Sequence, residues 1–585
     1  MAPAISFLLW TPAVLLYTVT ITVTPVVAHG QNAADAHIDG TMNEVVAIKN
    51  ATEYGVTYFT YDKHSGTIYA HITAMVLAWV FILPIAVMLS IAKSRYTLAV
   101  QSAFTAINAV GVALAAIYNA KTPDLYPNNS HHKIGWIVTL IFAVHILVNF
   151  IGLAANKWRS RTARTSSNEE HPFLPTTRQN STFTQGGYYT PNQLTTDDGG
   201  SSSNTEPSSS RNSSVSTICA EDAHLGSEHN KEFRNDDDEF EDVPFLSSSP
   251  TRAALASTFN RCFSDNAMKY VDIGYKVVDR IILPFGFIAL VTGVATFAGF
   301  FEGHRIFGGL AHWIKGGVFF WLGLFNLGRW SGSFAELGWA WNLRPKNASW
   351  QKRIFRPSAE LVESALILFY GSTNIFLEHL SGWGGEWTAQ DLEHMAITVL
   401  FIGGGLCGIL IESNHIRELL NTNGANPSIS SYSDEESAQF EAPRTYEFSL
   451  NPIPALVVLL LGVMMSSHHQ STMTATMVHK QWGTLLLWSS VARGLTYVLF
   501  YLRPPTSVLP SRPPTELLAS FGLISGGLIF MASSSDTVEG MIHYDLDAMF
   551  LYTVTMGLVG MLMAWEITVL AVKGWAVRRE LADDV

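Results

Sequence analysis

Residues Ile68 to Ala92 read IYAHITAMVLAWVFILPIAVMLSIA, a run without a single Asp, Glu, Lys or Arg. A bilayer-spanning helix needs roughly twenty consecutive apolar residues, and this run supplies them. Lys93 and Arg95 follow at once, and basic residues collect on the cytosolic flank of a span. In hydrocarbon every backbone polar group must be satisfied inside the segment. The stretch is therefore a transmembrane helix, and the blocks like it make the chain an all-α, polytopic helical membrane protein. Composition agrees: 48% of residues are hydrophobic and only 14% charged, with a mean hydropathy of +0.19. The net charge of −12 resides largely in polar loops, so it says little about a charged partner. Three cysteines are too few for a disulfide framework.

Outward from that run, residues 1–28 form an apolar segment ending in Val26, Val27 and Ala28, which reads as a cleaved signal peptide. Residues 29–66 follow as a luminal segment bearing the sequon Asn50-Ala51-Thr52, a glycosylation acceptor. Three spans, at 68–92, 98–117 and 134–155, make a membrane unit over 67–158. The third ends in Lys157, Arg159 and Arg161, and the sequon at Asn128 falls on the luminal side. Residues 159–268 are rich in Ser, Thr, Asn and acidic side chains and cannot bury enough apolar surface to fold. They are expected to be a disordered cytosolic linker, open to phosphorylation and to cytosolic protein partners. Residues 269–585 carry eight further spans, near 279–301, 313–330, 358–378, 393–413, 452–470, 478–500, 515–534 and 547–571, with a polar cytosolic insert at 414–450. The expectation is about eleven transmembrane helices in two units, in the secretory or endomembrane system, from endoplasmic reticulum to vacuole or plasma membrane. The N-terminus is then luminal, and the linker and C-terminus cytosolic.

On this topology every helix descending from the lumen has a histidine at or just before its start: His71, His131 or His132, His312, His394, His479 and His543. Met464 to Gly483 adds His468 and His469, with Met464, Met465, Met473 and Met477. Imidazole and thioether are ligands for copper, iron and zinc, so His312, His394, His468, His469 and His479 are candidate metal ligands. Met is equally a packing filler. His131, His312 and His479 each precede a glycine by four residues. The missing side chain then lies one turn along the same face, leaving room for a flat ligand or a close helix. Glu363, Arg493 and Glu566 lie inside spans, where an unpaired charge is expensive. Arg493 is expected to pair with one of the two glutamates and hold the bundle, with a proton path as the alternative.

His71 with Met75, Trp79 and Pro84, followed by His131 and Gly135, resembles the opening pattern of the ascorbate-type transmembrane b cytochromes and the ferric-reductase-like proteins related to them. In that family histidines on alternate helices form the axial pair of a haem b. The resemblance thus implies His71 with His131 or the adjacent His132 as cofactor ligands. The intervening span has Gln101 and Asn108 and no histidine, so a second haem is not expected. Across its length the chain resembles the fungal "yeast putative transmembrane protein one" family, in HWIKGGVFFWLGLFNLGRW from His312, EHMAITVLFIGGGLCG from Glu393 and SSHHQSTMTATMVHKQWG from Ser466. That family is described mainly by likeness to electron-transport membrane proteins. Its C-terminal unit is also similar to the vertebrate transmembrane protein forty-five family.

Three functions follow as expectations: a haem-binding redox membrane protein, a copper, iron or zinc transporter or sensor without electron transfer, or a non-catalytic trafficking or scaffold protein. No nucleophile elbow, phosphate loop or nucleic-acid motif is present, so the lipid bilayer is the one certain partner.

Overall fold

A computed structural model describes residues 56–167, 265–344, 357–374, 386–421, 444–468 and 470–583. The expected signal segment, most of the luminal segment, the middle of the linker, the centre of the polar insert and His469 lie outside the described residues. The described part is helical. In order it contains α1 (Ser65–Ile91), α2 (Thr97–Lys121), α3 (Ser130–Ser167), α4 (Asp265–Ala298), α5 (Ile306–Ser331), α6 (Ala359–Asn374) and α7 (Ala389–Glu412). Then come α8 (Asn414–Asn421), α9 (Ile453–Ser467), α10 (Met473–Leu502), α11 (Pro514–Ala532), α12 (Ser535–His543) and α13 (Ala548–Asp583). Eight of these are long and apolar enough to cross a membrane: α1, α2, the part of α3 up to Val148, the part of α4 from Ile273, α7, α10, α11 and α13. α9 is apolar but shorter, and α5 and α6 stand at two further places where spans are expected. The chain is a multi-pass membrane protein.

The residues up to Leu153 and from Lys269 onward form one compact unit, and 154–268 a second. Of the second, the described parts are the tail of α3 and the first residues of α4. The two stretches that the linker separates in sequence thus share one unit. Within it α1 packs on α2 and on α13, and α11 packs between α5 and α10, while α6 pairs with α7 and α9 with α10.

Local chemistry explains where helices begin and bend. Thr388 opens α7 with a capping box, its side chain accepting from the Asp391 N–H at 3.2 Å, which satisfies an amide the helix leaves orphaned. Thr472 caps α10 with one bond, its side chain accepting from the Ala475 N–H at 3.1 Å. In α1 the turn Leu77–Ile82 is π-helical. Pro84 has no N–H to give the Val80 carbonyl one turn earlier, and the Trp565 indole of α13 donates to that carbonyl at 3.0 Å. The N-terminal helices are thereby tied to the last one.

Lipid tails are as apolar as Leu, so these helices associate through close packing rather than water exclusion. A Cβ on Gly527 would lie 2.5 Å from the Phe320 amide nitrogen, and one on Gly316 would lie 2.6 Å from the Gly527 carbonyl. Backbone thus meets backbone where α5 crosses α11. Gly462 and Gly483 do the same for α9 and α10, at 2.6 and 2.8 Å from each other's carbonyl oxygens. The glycines four residues after His312 and His479 therefore serve helix contact. Around Gly135 nothing lies within 4 Å of the missing side chain.

Candidate functional site

The polar groups of the bundle gather at its two ends. At one end, where α1, α3, α5, α7 and α10 begin, are histidines. His71 is buried, and its Nδ1 lies 2.8 Å from the Gly111 carbonyl of α2. A carbonyl oxygen only accepts, so Nδ1 carries the proton and Nε2 keeps its lone pair. His131 is held likewise, Nδ1 at 3.1 Å from the Ala289 carbonyl of α4, with its ring seated where a Cβ on Gly293 would meet it at 2.9 Å. The two ring centroids are 6.4 Å apart and the planes 69° apart. One metal ion between two imidazoles, with bonds of about 2 Å and ring radii of about 1.1 Å, requires a separation of about 6 Å. The centroid spacing matches that requirement while the two rings meet edge to face, and fixing the far ring nitrogen on a carbonyl is how ligating histidines are oriented. His132 is exposed, so His131 is the ring that faces His71. Beneath the pair Trp79 packs edge-on against Phe104 at 5.1 Å and donates to the Asn108 Oδ1 at 2.9 Å. The residues standing in the histidine-free span are thus structural: Gln101, fully buried, donates to the Tyr275 hydroxyl at 3.2 Å.

At the same end of the second set of helices, His312 and His479 bond through Nδ1 to carbonyls one turn back, Gly308 at 2.9 Å and Ala475 at 2.8 Å. Their rings are 5.9 Å apart and nearly perpendicular. His394 and His468 form a neighbouring pair at 6.5 Å, and the Glu393 carboxylate lies 3.0 Å from the His468 Nδ1. Four of the five histidines singled out from sequence thus come together as two pairs. Among the described residues no group of three or more His, Cys, Asp or Glu side chains could hold a metal ion. Met473 and Met477 are exposed.

Outside the spans, burial and the carboxylates of Glu302 and Asp536 push the Tyr126 phenol above its ordinary pKa. In its neutral form it donates to the Phe300 carbonyl at 2.6 Å, pinning the turn that leads into α5.

At the opposite end the polar groups are charged and closed on one another. Arg329 of α5 donates to Glu360 at 3.1 Å, to Glu363 at 3.0 Å and to the Trp339 carbonyl at 2.8 Å. Arg493 of α10 lies against Glu516 at 2.7 Å and Glu363 at 3.3 Å. Trp341 stands 4.3 Å from the Arg329 guanidinium, a cation–π contact. The segment after α5 is thereby folded over the network, with Asn342 donating to the Val508 carbonyl at 2.7 Å. Of the three charges singled out from sequence, Arg493 and Glu363 meet, with Glu363 shared between two arginines. Glu566 stands apart: its Oε2 is buried and has no hydrogen-bond partner among the described residues.

A buried pair was not legible beforehand. His145 Nε2 lies 3.0 Å from the Asp279 carboxylate. The Tyr275 ring stacks on the imidazole at 4.0 Å, and the Ser90 hydroxyl donates to Asp279. A histidine in mid-span and an aspartate at a span's edge carry no spacing that announces their meeting.

The chain matches two family models: "Protein YTP1-like, C-terminal" over residues 285–574 and a domain of unknown function, DUF2427, over residues 52–155. It is 33% identical to the uncharacterized membrane protein C3B8.06 of Schizosaccharomyces pombe over 90% of this chain and 97% of that protein. It is 36% identical to the uncharacterized membrane protein YCR061W of Saccharomyces cerevisiae over 60% of this chain and 56% of that one. Protein YTP1 of Saccharomyces cerevisiae is 26% identical over 31% of each. No solved structure matches.

Proposed function

The chain belongs to the YTP1-like family of fungal membrane proteins, and on that footing we propose that His71 and His131 are the axial ligands of a single haem b in a redox-active membrane protein. The observation that carries the reading is the facing pair itself, with each Nδ1 committed to a carbonyl of another helix, Gly111 and Ala289. Two such imidazoles are what a six-coordinate electron-transfer haem requires. When bound, that group supplies reversible one-electron chemistry. The chain's own part is to hold two neutral imidazoles in fixed tautomers and, through Trp79, Phe104 and Phe142, to keep water from the apolar side. The basic residues Lys93, Arg95 and Arg503 stand at the ends away from the histidines, which supports the reading that the pair lies on the luminal side of an endomembrane.

Purified full-length protein should show a reduced-minus-oxidised haem spectrum that disappears in His71→Ala and in His131→Ala and survives in His132→Ala. A haem-free preparation from haem-supplemented cells, folded and monodisperse, sinks the reading.

A second reading is favoured by the His312–His479 and His394–His468 pairs: a transition-metal transporter or sensor. His469 lies beside this cluster in sequence. Bound copper, zinc or iron without haem, lost in the double variant His468→Ala/His469→Ala, is the outcome that selects it.

A further inference from the structure

The charged end of the bundle contains an imbalance. Arg329 and Arg493 are two cations facing three carboxylates, Glu360, Glu363 and Glu516, and all five side chains are buried. Within a membrane protein such a surplus charge is costly and marks function by default.

A second, independent observation lies beside it. A cleft lined by Arg329, Glu360, Trp341 and Tyr497 opens at this end, with room for about two water molecules by the volume one water needs. The Tyr497 hydroxyl and the Trp341 indole nitrogen are buried and have no hydrogen-bond partner among the described residues. Buried polar groups are bonded as a rule, so these two orphans, both on residues that line the cleft, point to water in it.

We propose that the Arg329–Arg493–Glu360–Glu363–Glu516 network is a proton-binding site that takes up one exchangeable proton through the cleft at Tyr497. A hydronium ion in the cleft gives its proton to a carboxylate oxygen. The products are a carboxylic acid and a water molecule, and two guanidinium groups then face two carboxylates. The proton belongs to the network rather than to one residue, since Glu363 touches both arginines and couples the other two acids. Every neighbouring element is accounted for: α5 contributes Arg329, α6 Glu360 and Glu363, α10 Arg493 and Tyr497, and α11 Glu516. Glu447 and Arg344 line an adjoining cleft together with Glu360, one acid and one base that leave the surplus at one carboxylate, and Glu412 accepts from Ser358 and Ser449 at 2.6 Å each, which keeps it in its own set of bonds. The site is independent of any cofactor at His71 and His131.

The test is infrared spectroscopy of the full chain in lipid nanodiscs at neutral pH, in a Glu566→Gln background that removes the other unpartnered carboxyl. The expected result is a carboxylic-acid carbonyl band that shifts on transfer to D2O and is lost in at least one of Glu360→Gln, Glu363→Gln and Glu516→Gln. Absence of the band in the parent, or its persistence in all three variants, overturns the proposal. In Tyr497→Phe, which keeps the ring's packing, the band should remain while its exchange into D2O slows several-fold. An unchanged rate overturns the cleft as the route. The parent spectrum alone decides the first question even where a glutamine variant fails to fold.

Discussion

The two ends of the bundle solve the same problem in opposite ways. Both place polar side chains where water is scarce. At the histidine end four rings, those of His71, His131, His312 and His479, commit Nδ1 to a backbone carbonyl. At the arginine end nearly every valence is turned inward, with Arg329 bonded to two carboxylates and a carbonyl. A neutral imidazole tolerates an uncommitted nitrogen at modest cost, whereas an uncommitted buried charge costs several kcal/mol. The first arrangement therefore leaves capacity for a ligand, while the second serves cohesion and exposes only the surplus of one carboxylate.

The sharpest way to break that comparison is Arg329→Gln. It strands Glu360 and leaves Glu363 to Arg493 alone, and it should cost about 3–5 kcal/mol, read as loss of the thermal transition of the purified protein in detergent. A small effect would mean that the charges there are not buried against one another. Next comes Gly527→Ala, which pushes a methyl group toward the Phe320 backbone and should cost about 1–3 kcal/mol. Because α5 carries both His312 and Arg329, this change should disturb the two ends together. Gly403→Ala, with open space around it, serves as the control and should leave the melting temperature in place. His312→Leu removes no charge and frees only a carbonyl on its own helix, so the same measurement should register below about 1 kcal/mol. A loss as large as that of Arg329→Gln would show that something besides the protein holds that ring. Smallest of all, Glu566→Gln should stay within about 0.5 kcal/mol, since its buried Oε2 has no partner among the described residues. A larger drop would place this carboxyl in an interaction that its surroundings do not display.

Much of this was legible before any coordinates. The apolar run from Ile68 to Ala92 became α1 (Ser65–Ile91), and the later spans fall on α2 to α13 because a bilayer sets helix length and composition together. The recurrence of histidines at helix starts was visible as well, since parity along the chain is a one-dimensional property. Partner choice was not. Arg329 reads as an ordinary basic residue ending a helix and Glu516 as an ordinary acid in a first turn. Arg329 meets Glu360 and Glu363 of α6 while Glu516 meets Arg493 of α10, and those meetings depend on α5 and α10 both packing on α11. The spacing of His131 and His132 left either as the ring to face His71, and helix rotation chose His131, seating it against Gly293.

Sequence by itself therefore determined the class of molecule, the positions of its helices and the residue types that stand at each end, because hydropathy and helix period are local. Tertiary structure decided which histidines pair, that Glu363 bridges two arginines while Glu566 stands alone, and that His145 meets Asp279. Those outcomes rest on which helix faces meet, and in a membrane that is settled by how closely small residues such as Gly316 and Gly527 let backbones approach.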